Sequence, residues 1–145
     1  MDIKTLNPRI KAFLFACIVL IPGSLIAQKS PTDYFGFPPG SDRNLFTYEQ
    51  LIAYLQELDE ASDRLKMVEI GKSPMGRTMY IAFLSSAENI SSLNELKAIN
   101  KRLALDPDIP SGEKEDLIDR GKVFLLGTLS MHSGEVGPSQ ASSLI

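Results

Sequence analysis

The first periodic stretch of apolar residues spans residues 48–61. Apolar side chains recur there at intervals of three and four residues, which predicts an amphipathic helix with one face against a core. These residues are Tyr48, Leu51, Ile52, Leu55 and Leu58. Thr47 followed by Gln50 fits the capping box, in which each side chain bonds to the backbone of the other residue. The helix is therefore expected to begin directly after Thr47.

Two further helices are predicted downstream. Ser92 and Glu95 form a second capping-box match, and apolar residues then recur at helical spacing until Pro107 interrupts them. Residues 111–120 favour a short charged helix, ended by Gly121 in a left-handed conformation. A solvated loop is the alternative for that charged segment.

Three stretches have the composition of β-strands. Residues 65–70 and 78–84 are rich in Val, Ile, Tyr, Phe and Met, and the turn-forming stretch 71–77 lies between them, so a hairpin is predicted. Residues 122–131 form a nearly continuous apolar run without polar alternation. This pattern is typical of a strand buried on both faces of a sheet.

The order of these elements predicts the fold class. Helices interleaved with strands, and ending in a buried strand, indicate an α/β fold with a mixed sheet covered by helices on both faces. A further helix is predicted to open near Pro138. Because a domain boundary is not expected inside a helix, we expect the chain to be the N-terminal part of a larger, here truncated, domain.

Residues 1–27 have the pattern of a secretory signal peptide. A basic start is followed by an apolar run at 12–21, by the helix-breaking Pro22, and by small residues before a cleavage point at Gln28. An uncleaved membrane anchor is the alternative, but a run of about ten residues is short of the roughly 20 that span a bilayer. The protein is therefore expected to be secreted or periplasmic, without a stable membrane span after leader removal.

Composition narrows the picture further. Residues 28–44 are rich in Pro, Gly, Ser and Asp, without periodicity, and suit an extended segment before the domain at 45–145. Cys17 is the single cysteine and lies in the predicted leader, so the exported part of this chain is expected to form no disulfide. The net charge of −3 is opposite to that of a nucleic-acid-binding protein, and no nucleic-acid partner is expected.

The candidate chemistry lies at His132 and Glu135, directly after the apolar run. The carboxyl ends of buried strands are where ligands collect in α/β sheets. Zinc in hydrolytic sites binds imidazole nitrogen and carboxylate oxygen. The His-x-x-Glu spacing alone is weak, and a solvated surface histidine is the alternative. The glycines at positions 127, 134 and 137 would nevertheless let the backbone bend closely around an ion.

A wider resemblance strengthens this interpretation. Residues 124–138, which read FLLGTLSMHSGEVGP, resemble the zinc-ligand segment of the M14 family of zinc carboxypeptidases, where an apolar strand delivers a His and a Glu follows three positions later. Residues 69–79 resemble the first hairpin of that family, with its Gly-x-Ser turn and Gly-Arg pair. The helix predicted at 48–61 takes the place of the family's opening helix. The resemblance covers roughly residues 45–145.

This resemblance implies a function and a cofactor. His132 and Glu135 would bind a catalytic Zn²⁺ in a three-layer carboxypeptidase sandwich, and the full-length protein would hydrolyse peptides or proteins outside the cytoplasm. The third ligand, a His, and the Glu that activates the bound water would lie beyond residue 145, as would the groups that grip the substrate. We therefore expect the chain alone to be inactive.

Two other functions remain open at this point. A zinc amidohydrolase of the desuccinylase and aspartoacylase type shares the His-x-x-Glu start but cleaves small N-acyl amino acids. A non-catalytic binding module could retain the pocket without the chemistry.

Overall fold

The computed structural model describes residues 28–132 and 134–145. The predicted signal peptide, with Cys17, lies outside the described residues. In chain order the elements are α1 (Pro31–Phe35), α2 (Tyr48–Ala61), β1 (Leu65–Lys72), β2 (Thr78–Leu84), α3 (Ala87–Ser91), α4 (Leu93–Leu105), α5 (Ser111–Arg120), α6 (Val136–Ala141) and a 3-10 turn (Ser142–Leu144).

The hairpin prediction is confirmed. β1 and β2 pair antiparallel, with Leu65 opposite Leu84 at one end and Lys72 opposite Thr78 at the other. A bulge at Gly71, whose φ of 126° suits glycine, shifts the register near the turn. The described chain thus has a mixed helical and strand fold with a two-stranded antiparallel sheet.

Helix α2 begins where the capping box predicts. The Gln50 N–H donates to Thr47 Oγ1 at 3.2 Å, and the Thr47 N–H donates to Gln50 Oε1 at 2.8 Å. The helix packs against β1, and its first residue, Tyr48, donates a hydrogen bond of 2.7 Å to the carbonyl of Thr78 on β2. The first predicted helix and the predicted hairpin therefore form one packed unit.

Helix α1 lies inside the segment that was expected to be extended. Ser30 caps its start, and its aromatic residues pack in a cluster: Phe35 stacks on Phe46 with ring centroids 4.2 Å apart, and Tyr34 lies 4.9 Å from Tyr54. Segment 28–44 is therefore not extended throughout. A single helical turn is too short for periodicity to show, and here contacts with distant aromatic residues stabilise it.

Helices α4 and α5 are confirmed, but two details of their ends are wrong. Ser92 makes no side-chain capping bond, because α3 runs directly into α4 and the Ser92 N–H already donates to the carbonyl of Glu88. Gly121 has a φ of −67° rather than a left-handed conformation. A β-carbon there would lie 2.8 Å from the carbonyl oxygen of Leu117, so this glycine permits a close approach instead.

The predicted strand at residues 122–131, buried on both faces, is not observed. The run has no regular secondary structure, and the side chains of Val123 and Leu125 are 97% and 96% exposed. A strand needs neighbouring strands for its backbone groups, and in the described chain the sheet contains only β1 and β2. Phe124 contacts β2, edge-on to Phe83 with ring centroids 6.1 Å apart.

Within the described ranges, no helix combines the length and the apolar character that crossing a membrane requires.

Candidate metal centre

The two predicted ligands lie at the two ends of one tight turn. His132 ends the apolar run, and Glu135 immediately precedes α6. The Glu135 N–H donates to the His132 carbonyl at 3.0 Å, which closes the turn. The hydroxyl of Ser130 lies 3.2 Å from the His132 carbonyl and 3.1 Å from the Glu135 carbonyl. The helix predicted near Pro138 is present as α6.

The structure brings the two side chains into direct contact. His132 Nδ1 lies 2.7 Å from Glu135 Oε1. The other oxygen, Glu135 Oε2, accepts hydrogen bonds of 3.2 Å from the backbone N–H groups of Met131 and His132. Because a carboxylate can only accept, Nδ1 carries the hydrogen in this contact. One carboxylate oxygen is thus held by the backbone, and the other is aimed at the imidazole.

These hydrogen bonds act on the charge state of Glu135. The bond from the His132 side chain, followed by those from the backbone N–H groups of His132 and Met131, holds the pKa of the Glu135 carboxyl below its usual value. Hydrogen bonds donated to a carboxylate favour its ionised form. Glu135 is therefore a carboxylate at neutral pH, which is the form that binds a cation.

The pair is open to solvent. The side chain of His132 is 73% exposed and that of Glu135 is 48% exposed. Exposed ion pairs contribute little to folding stability, so this contact adds little to the stability of the protein. Both side chains are therefore accessible to an ion from solution.

The nitrogen of His132 and the oxygen of Glu135 suit zinc as two of the ligands that such a site needs. Imidazole nitrogen and carboxylate oxygen are common zinc ligands, and two donors of one tetrahedral zinc are about 3.4 Å apart. The observed separation of 2.7 Å would have to open by several tenths of an ångström. Residues 28–132 and 134–145 contain no group of three or more His, Cys, Asp or Glu side chains that could hold a metal ion. The described chain therefore supplies a partial site.

Comparison with protein-family profiles, with curated proteins and with solved structures finds no match to this chain. The functional assignment therefore depends on the residues and geometry of the site.

One contact near the site was missed from the sequence. The side chain of Gln140, in α6, is buried and pairs with the backbone of Phe46, 94 positions earlier. In the sequence Gln140 is one polar residue of the helix predicted near Pro138, between Ser139 and Ala141, and no apolar periodicity marks it as buried. Only the folded chain brings it against Phe46, so no local pattern signals the contact.

Proposed function

We propose that this chain is the N-terminal part of the catalytic domain of a secreted or periplasmic zinc hydrolase of metallocarboxypeptidase type. The observation that carries the proposal is the 2.7 Å approach of His132 Nδ1 to Glu135 Oε1, directly after the apolar run. The M14-like segments at residues 69–79 and 124–138 support it, because they occur in the family's order. Because the pattern at residues 1–27 is typical of an export signal, the proposed substrates are peptides outside the cytoplasm.

In this proposal each residue of the pair has a separate task. His132 would supply a neutral imidazole nitrogen, which is Nδ1 once its hydrogen has moved to Nε2 by exchange with water, and Glu135 would supply a negatively charged oxygen that offsets the charge of the ion. The backbone N–H groups of Met131 and His132 keep the Glu135 carboxylate oriented. When bound, zinc supplies a Lewis acid and lowers the pKa of a bound water towards about 7, so that a peptide carbonyl can be attacked at neutral pH.

The remaining groups of the reaction are not assigned to any residue of this chain. The family pattern places a third ligand, a general base and the groups that bind the substrate's terminal carboxylate beyond Ile145. The proposed three-layer sandwich also gives the run at 122–131 a role. Its consecutive residues Leu125 and Leu126, which are both exposed and would lie on opposite faces of a strand, would face helices once neighbouring strands pair with its backbone.

The test uses protein expressed from the complete reading frame. We expect it to release the C-terminal amino acid from peptides with a free carboxyl end, and to leave C-terminally amidated peptides uncleaved. A chelator should abolish release, and added Zn²⁺ should restore it. His132→Ala and Glu135→Gln should each reduce kcat/KM by orders of magnitude, while the surface variant Glu115→Gln should leave it unchanged.

Other outcomes would replace the proposal. Hydrolysis of N-acyl amino acids, with peptides untouched, would assign the protein to the amidohydrolase type. Absence of zinc from the purified complete protein by elemental analysis, together with absence of hydrolysis, would favour a non-catalytic binding module.

A further inference from the structure

Gln140 makes an unusual pair of hydrogen bonds. Its amide Nε2 donates to the carbonyl of Phe46 at 3.1 Å, and its Oε1 accepts from the N–H of the same residue at 3.2 Å. The side chain thereby occupies both backbone groups of Phe46, as a neighbouring strand would. Gln140 is 6% exposed, so neither bond competes freely with water.

These two bonds are the long-range attachment of the segment that follows the metal pair. Within the described chain, they are the hydrogen bonds that join residues 134–145 to residues before 130. The bonds inside the loop are local: Glu135 reaches Met131 and His132, and Ser130 reaches Glu135. Local bonds give the loop its shape but do not fix its place against the rest of the protein.

The other end of the attachment is well fixed. Phe46 is 6% exposed and stacks on Phe35 in the aromatic cluster. The next residue, Thr47, is tied to Gln50 by the capping box of α2. Gln140 therefore connects α6 to a packed part of the protein.

We propose that Gln140 is a positioning residue for the His132–Glu135 pair. Glu135 lies at the start of the short helix α6 and Gln140 lies near its end, so holding Gln140 on Phe46 restrains the backbone from which the Glu135 carboxylate projects. A restrained carboxylate loses less freedom when it binds an ion. The effect on metal affinity rests on the proposed zinc function, whereas the effect on the metal-free pair does not.

The chain offers a matched pair of variants. Gln140→Met keeps the length of the side chain and removes both bonds to Phe46. Gln50→Met removes a similar bond at the residue after Phe46, because Gln50 Oε1 accepts from the N–H of Thr47. This variant leaves α6 attached to Phe46. Both variants are made in the 145-residue chain, and circular dichroism verifies that each is folded.

The first readout needs no metal. His132 is the only histidine, so the imidazole ¹⁵N signals of the chain report on it alone. In the wild type and in Gln50→Met we expect shifts of an imidazole with its hydrogen localised on Nδ1. In Gln140→Met we expect the averaged shifts of a free imidazole, and faster hydrogen exchange at the Glu135 N–H. Identical signals in both variants would overturn the proposal.

The second readout is titration with Zn²⁺ alone, followed by the same signals. Loss of Gln140 should weaken zinc binding by about 10- to 100-fold, as removal of groups that orient metal ligands does, and loss of Gln50 should not. If zinc leaves the wild-type signals unchanged while Gln140→Met still alters the metal-free pair, the zinc function fails and the positioning role stands.

If Gln140→Met does not fold, Gln140→Glu can be compared with the wild type instead. Gln140→Glu keeps the acceptor for the Phe46 N–H and loses the donor to its carbonyl, so its metal-free His132 shifts should lie between those of the wild type and of a free imidazole. Wild-type shifts in Gln140→Glu, with wild-type exchange at Glu135, would count against the positioning role.

Discussion

The described chain has two regions that differ in how far their apolar residues are buried. In residues 29–121, which we call the packed region, leucines and aromatic residues at helical spacing are buried, as Leu96 and Tyr54 are. In residues 122–145, the C-terminal region, the largely apolar run at 122–131 leaves Val123 and Leu125 almost fully exposed. Apolar character alone therefore does not produce burial. A helix or hairpin finds its partner nearby in the sequence, whereas a lone strand depends on strands elsewhere.

The largest expected effect comes from truncating one leucine in each region. Leu96→Ala removes a buried side chain of α4, and we expect it to lower the free energy of unfolding by about 3 kcal/mol, through lost burial and the cavity left behind. Leu125→Ala changes a side chain that is 96% exposed, and should shift stability by less than about 0.5 kcal/mol. Urea unfolding of the full chain measures both.

An equal loss of unfolding free energy in Leu96→Ala and Leu125→Ala would contradict the difference between the two regions. It would mean that Leu125 is covered in solution, either by another part of the protein or by a second copy. Measuring the sedimentation of the wild type over a range of concentrations separates these two cases.

A smaller effect distinguishes the two capping-box matches. Thr47→Ala removes the hydroxyl that accepts from the Gln50 N–H, and should destabilise the protein by about 1 kcal/mol. Ser92→Ala should change stability little, because Ser92 makes no side-chain capping bond. Thermal melts of the two variants beside the wild type give the answer, and a larger loss in Ser92→Ala would contradict the described junction of α3 and α4.

The smallest expected effect is a pH dependence at the aromatic cluster. Burial raises the pKa of Tyr54 above the usual value of about 10, because the phenolate is poorly solvated there. The unfolded chain therefore loses its tyrosine proton at lower pH than the folded chain. The associated stability is fully present below about pH 10 and is lost as the pH rises through the folded pKa.

Tyr54→Phe tests that pH dependence. At neutral pH the variant should be slightly less stable, because it loses the hydrogen bond that Tyr54 Oη donates to the carbonyl of Lys29. Above pH 10 the difference should shrink, since phenylalanine cannot ionise. Melts at a series of pH values, with tyrosinate absorbance followed in parallel, measure this. A difference that grows with pH would show that the sign is wrong.

Sequence predicts the packed region well because its signals are local. The capping box at Thr47, the spacing of apolar residues in α2 and α4, and the two β-rich stretches are each completed by neighbours within a few turns of chain. The misses in this region have physical causes. Helix α1 is stabilised by aromatic contacts with Phe46 and Tyr54, and Ser92 follows a helical turn that its pattern does not anticipate.

For the candidate site, the sequence indicates the two neighbouring side chains but not their attachment, and their role as zinc ligands stays a prediction. The three-residue spacing of His132 and Glu135 allows their side chains to meet across a turn that their own backbone closes, so this contact is signalled locally. Gln140 depends on a partner 94 positions away, and the strand expected at 122–131 depends on pairing partners that the described chain does not offer. Both are long-range features, which periodicity cannot reveal.

The most direct test of the account is titration of the 145-residue chain with Zn²⁺, monitored through the imidazole ¹⁵N signals of its only histidine. We predict saturable shifts in the wild type and in Glu115→Gln, and much weaker binding in Glu135→Gln, because the carboxylate and the imidazole share the ion. Signals that zinc leaves unchanged, or equal binding by Glu135→Gln and the wild type, would contradict the assignment of His132 and Glu135 as a pair of zinc ligands.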